Sequence, residues 1–125
     1  MNTTTSKWLI CGTRRKNYKE LCIKKLEEIY QQKRNLQPKN SEWKPTIIEG
    51  CCPNSADEYA EEWAKKHEIN IEHYPSQKGE YLERNIEMIR NATLIIAFWD
   101  GYSYGTSMVI AQATMRRIPT IIIKI

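Results

Sequence analysis

Short apolar runs and amphipathic helical stretches alternate along the whole chain, and this alternation constrains the fold more than any other feature. Trp8-Leu9-Ile10-Cys11 reads as a first strand that stops at Gly12. Behind it Tyr18, Leu21, Cys22, Leu26, Ile29 and Tyr30 recur at helical spacing. A polar connection from Arg34 to Lys44, containing Pro38, leads to the strand Thr46-Ile47-Ile48. Ser55 followed by Glu58 is a capping-box signal, and Ala56, Tyr59, Ala60, Trp63 and Ala64 make the stripe of a second helix. Ile69 to His73 reads as a short edge strand, and Leu82, Ile86 and Ile89 mark a third helix. Leu94 to Phe98 reads as a central strand and Met108 to Met115 as a fourth helix, which Pro119 ends before a last strand, Thr120 to Ile123.

Strands that alternate with helices imply a parallel sheet covered on both faces. The expected fold is therefore α/β: a single doubly wound parallel sheet of about five strands with helices on both faces. At 125 residues there is room for one domain, 1–125, with residues 1–6 as a polar tail. Right-handed crossovers bring the C-terminal ends of all strands to one edge, where open sheets bind ligands. Three loops arrive there: Gly12-Thr13-Arg14, Gly50 to Ser55, and Trp99 to Thr106.

Composition narrows the partners. No stretch approaches the roughly 18 apolar residues of a membrane span, and the first residues lack the order of a signal peptide. A cytoplasmic location and no membrane partner are the expectations. The net charge of +4 is spread over helices, as in Lys24-Lys25, Lys65-Lys66 and Arg116-Arg117, so nucleic acid is a disfavoured partner. Cys11, Cys22, Cys51 and Cys52 have neither zinc spacing nor a disulfide pattern, and His67 and His73 have no partner at ligand spacing. No metal, resident cofactor or catalytic residue is expected.

The loops carry the candidate site. The run Ile95 to Phe98 ends at Trp99-Asp100-Gly101, and Gly105-Thr106 then opens a helical pattern. Helix N-termini expose unpaired N–H groups and the positive end of the dipole. Gly101, Ser103, Gly105 and Thr106 thus form a phosphate-cradle candidate. Arg14, after Gly12 and Thr13, has a guanidinium suited to gripping phosphate through two parallel hydrogen bonds. Asp57, just past the Gly50 loop, either complements the helix dipole, bonds ribose hydroxyls or orients the loop. Glu49 faces either the site or solvent. Arg84 and Asn85 fall off the apolar stripe of their helix and read alone as a solvated face. Trp99, Tyr102 and Tyr104 either stack on a base or cover the sheet edge.

Together these motifs resemble the SLOG superfamily of Rossmann-like domains, in particular its small YspA-like branch. The resemblance rests on Gly12-Thr13-Arg14, on Glu49 to Asp57, on Arg84-Asn85 and on Ala97 to Thr106, in order, from about residue 8 to residue 124. It implies a nucleotide-derived ligand, such as an ADP-ribose derivative or a cyclic-nucleotide-like signal. Arg14, Arg84 and the Gly101–Thr106 loop would hold phosphate, Asp57 ribose or the loop, and Trp99 or Tyr102 the base. Relatives include ligand sensors of antiviral defence, phosphoribohydrolases and a DNA-processing protein, and many form dimers or tetramers. The related hydrolases carry a glutamate where this chain has Val109, which argues for binding without turnover. The alternative is a nucleotide or nucleoside glycosyl-bond hydrolase. Cys51, Cys52 and Ser55 stand where relatives often have glycine, so a reshaped cradle is expected. Binding without an effector domain points to a sensor or a sequestering sponge. The Lys-, Asn- and Ile-rich composition, typical of AT-rich genomes, fits a viral anti-defence protein in host cytoplasm as well as many bacteria.

Overall fold

A computed structural model describes residues 6–14, 17–77 and 79–125, so the polar tail falls outside it except for Ser6. The elements run β1 Lys7–Gly12, α1 Lys19–Asn35, β2 Thr46–Glu49, α2 Ala56–Lys66, β3 Ile71–His73, α3 Tyr81–Asn91, β4 Leu94–Trp99, α4 Tyr104–Met115 and β5 Thr120–Lys124. The five strands form one all-parallel sheet in the order β3-β2-β1-β4-β5. This is the Rossmann-like α/β arrangement that the strand–helix alternation implies.

The two-residue period of the strands divides the core. Trp8 and Ile10 of β1, with Leu94, Ile96 and Phe98 of β4, point to the face covered by Cys22, Leu26, Ile29 and Tyr30 of α1 and by Ala60, Trp63 and Ala64 of α2. Leu9, Cys11, Ile95 and Ala97 point to the opposite face, under Met88 and Ile89 of α3 and Val109 and Ala113 of α4. The chain steps outward from β1 through β2 to β3, then returns to β4 and steps to β5. Right-handed crossovers in opposite directions require helices on opposite faces, as found. The order reverses between β1 and β4, and the loops leaving those strands diverge there to open a crevice.

Element boundaries shift from the sequence reading in three places. The long first helix continues past Tyr30 to Asn35, through residues that are polar but good helix formers. β3 starts at Ile71, because Ile69 instead packs in the core with its N–H bonded to Ala64 O at the end of α2. The fourth helix opens at Tyr104, four residues before Met108, which brings its N-terminus to the crevice. Among the described residues no helix is long and apolar enough to cross a membrane.

Candidate functional site

β1 and β4 end side by side, with Gly12 opposite Phe98. A side chain at Gly12 has no space: its Cβ would fall 2.5 Å from Tyr18 Oη and 2.9 Å from Phe98 O. The next residue, Thr13, is buried and joins two loops. Its Oγ1 accepts from the Asp100 N–H at 3.2 Å and from Ser103 Oγ at 3.0 Å. Tyr18 Oη donates to Thr13 O at 2.6 Å and accepts from the Ala56 N–H at 3.0 Å, tying the same loop to the start of α2.

The Gly50 loop is organised around two buried or half-buried charges. Asp57 Oδ2 accepts from the N–H groups of Gly50 and Cys52, each at 3.1 Å. Burial pushes the Asp57 carboxyl up from the ordinary aspartate range, and these two N–H groups pull it back. Of the roles open in sequence, loop orientation is the one its hydrogen bonds carry. Arg84 turns inward rather than lying on a solvated face. Its Nη1 donates to Gly50 O at 2.6 Å and Tyr74 O at 3.0 Å, while Nε donates to Asn85 Oδ1 at 2.8 Å. A Cβ on Gly50 would run into Nη1 and stand 2.8 Å from Cζ, so any larger residue there has to displace the guanidinium. Ser55 caps α2 by accepting from the Asp57 N–H at 3.2 Å, and Glu58 reaches back to the Asn54 N–H.

The turn after β4 is held by its own aspartate. Asp100 Oδ1 accepts from the N–H groups of Tyr102 at 2.9 Å and Ser103 at 2.8 Å, which lowers its pKa to about 2. Gly101 has φ +88°, the left-handed region glycine enters freely. Trp99 Nε1 donates to Ser103 O at 3.0 Å, so the indole braces the turn.

α4 then begins without the usual devices. Ser103 makes no side-chain cap, and the first turn has no acidic residue. The N–H groups of Tyr104, Gly105 and Thr106 donate to no described residue. α2, by contrast, has Ser55 as its cap and Asp57 and Glu58 in its first turn. The positive end of the α4 dipole is thus left uncompensated.

These pieces enclose a cavity of about 460 Å³ at the C-terminal edge of the sheet. Of the expected site residues, Gly12, Thr13, Arg14, Asp57, Arg84, Asn85, Ser103, Gly105 and Thr106 line it. Gly50, Trp99, Asp100, Gly101 and Tyr102 do not line it; they shape the two loops behind it. Tyr102 is 90% exposed. The aromatic walls are Tyr81 and Tyr104, with Ile10, Met88 and Val109 as an apolar floor. Arg14 is exposed and makes no hydrogen bond or ion pair with a described residue. Arg84 stands 5.9 Å from the Tyr81 ring centroid.

Cys52 also lines the cavity, where burial raises its thiol pKa against the lowering pull of Arg84 and Arg14. Cys11 and Cys22 are buried, as their apolar positions foretell. Tyr81 is absent from the sequence reading; its place at the first position of α3, opposite a glycine-led helix start, was the available signal. Glu49 is 1% exposed, facing neither solvent nor the cavity.

No protein-family model matches this chain, and no curated protein or solved structure is significantly similar to it.

Proposed function

We propose that this domain binds a nucleotide-derived small molecule in the cavity between β1 and β4 and does not turn it over. The observation that carries this reading is the α4 N-terminus, bare of cap and acid, opening into a cavity that also holds two guanidinium groups. Unpaired N–H groups, a helix dipole and arginine together favour an anion with several acceptor oxygens, such as phosphate. Arg14 and the Tyr104–Thr106 N–H groups are the first phosphate ligands in this account. Arg84, already spending Nε and Nη1 on the protein, adds charge and holds the Gly50 loop.

Tyr81 and Tyr104 supply aromatic faces on which a base can stack, replacing Trp99 and Tyr102 in that role. The volume of about 460 Å³ is within the range of small-molecule pockets. The resemblance of the loops to SLOG domains supports the same ligand class. Binding without turnover is favoured by Val109, whose apolar side chain lines the cavity floor and can neither attack a sugar carbon nor stabilise positive charge. The one cavity carboxylate of the described residues, Asp57, is occupied by two backbone N–H groups. Sensing or sequestration is the role that remains for such a domain, and a viral anti-defence sponge is one form of it.

Titration calorimetry with ADP-ribose, cyclic nucleotides, nucleoside monophosphates and phosphate-free nucleosides tests the reading. Binding of at least one phosphorylated member, with none of the matching nucleoside, is expected. Equal affinity for a nucleotide and its nucleoside would contradict the phosphate assignment.

A further inference from the structure

A second constellation stands apart from the cavity, on the outer side of the sheet edge. β2 and β3 pair in parallel with Glu49 directly opposite His73, so both side chains leave the same face. α2 crosses that face and brings Glu61 to the same point. His73 Nε2 lies 3.1 Å from Glu49 Oε2 and 2.6 Å from Glu61 Oε1, and one ligand atom of each residue lies within 4.8 Å of the others. None of the three lines the cavity.

We propose that Glu49, Glu61 and His73 bind one divalent first-row transition-metal ion of the zinc type. One imidazole nitrogen and two carboxylate oxygens are a donor set such ions accept, with a fourth position left for water. Donors about 2.1 Å from a tetrahedral ion stand roughly 3.4 Å apart, so small side-chain rotations suffice to reach that spacing.

Burial gives an independent reason. Glu49 is 1% exposed, yet no lysine or arginine among the described residues pairs with it. A buried carboxylate is costly unless it is paired, and the basic group beside this one is the His73 imidazole, which Glu61 shares. Its contacts are the Cys51 N–H and the His73 ring. Among the described residues, Lys65 pairs with the trio, 3.9 Å from Glu61 and itself exposed. A divalent ion held by all three side chains would compensate both carboxylates at once. Glu49 also immediately precedes Gly50, whose N–H and C=O are fixed by Asp57 and Arg84. A bound ion would therefore stiffen the Gly50 loop behind the cavity.

The test is zinc chloride titration by calorimetry, with cobalt(II) absorption as the second reading. The wild-type chain is expected to take one zinc per molecule. His73→Ala and Glu61→Gln, both at part-exposed positions, should weaken it at least tenfold, and Cys51→Ser should leave it unchanged. Cobalt bound to the wild type should show ligand-field bands without a thiolate charge-transfer band. The proposal is overturned if the wild type retains no zinc, or if His73→Ala binds as tightly. It is equally overturned if Cys51→Ser abolishes binding and cobalt shows the thiolate band. The wild-type cobalt spectrum decides even if a variant fails to fold.

Discussion

Arg14 and Arg84 divide the labour of charge in the cavity, and the difference is set by what each already touches. Arg84 has three hydrogen bonds to the protein; Arg14 has none to a described residue. Arg14→Ala should therefore weaken ligand binding by more than tenfold while the thermal midpoint stays unchanged; calorimetry beside a melting curve reads both. Gly50→Ala should act differently. Its Cβ displaces the Arg84 guanidinium, and losing charged hydrogen bonds to Gly50 O and Tyr74 O should cost about 1–3 kcal/mol in chemical denaturation. In an Arg84→Ala background that cost should largely vanish, because the clash has gone. Asp100 supplies a pH dependence. Its folded pKa, about 2, lies below the ordinary 3.8, so it stabilises the fold above that ordinary value and loses this as pH falls through about 2. Asp100→Ala should melt with less change between those two pH values than the wild type. The residue types of this site were legible in sequence, but their directions were not. Arg84 is off the apolar stripe of its helix, yet Gly50 lets it lie flat against the backbone. His73, read as a strand-end residue, meets Glu49 only through the β2–β3 register and Glu61 only through the crossing of α2.

At the scale of elements, α4 concentrates the functional claim, because its start sacrifices helix stability. Gly105 has a negative φ, and an added Cβ meets nothing within 4 Å. Gly105→Asp should thus stabilise the protein, by helix propensity and by compensating the dipole, the latter worth about 0.3–1 kcal/mol. The same carboxylate should repel an anion and lower ligand affinity by more than tenfold. Gly105→Ala should keep the gain in propensity without the repulsion, so comparing the two variants separates charge from bulk. A parallel loss of stability and binding in Gly105→Asp would count against the account. Apolar patterning located every strand and helix, since each gives residues to one layer of the core or the other. The apolar pattern begins only at Met108, because Tyr104-Gly105-Thr106-Ser107 carries no stripe, and the Gly105-Thr106 pair was the signal that placed the helix start close to its true position.

For the whole molecule, the doubly wound topology places the ends of β1 and β4 together and sends their helices to opposite faces. The crevice follows from connectivity, and the sequence reading could reach it because strand order governs where loops diverge. The cavity's aromatic walls were less accessible. They come from the first residues of α3 and α4, whose rings line the cavity while staying exposed, Tyr81 at 53% and Tyr104 at 76% against 90% for Tyr102. The most direct measurement is to incubate the protein with ADP-ribose derivatives, cyclic nucleotides and nucleoside monophosphates, remove free ligand, and heat it. Mass spectrometry then identifies what is released. The account predicts one intact phosphorylated molecule, absent from the Arg14→Ala variant. Release of a free base with its sugar phosphate would contradict it, as would a protein that retains nothing from the panel.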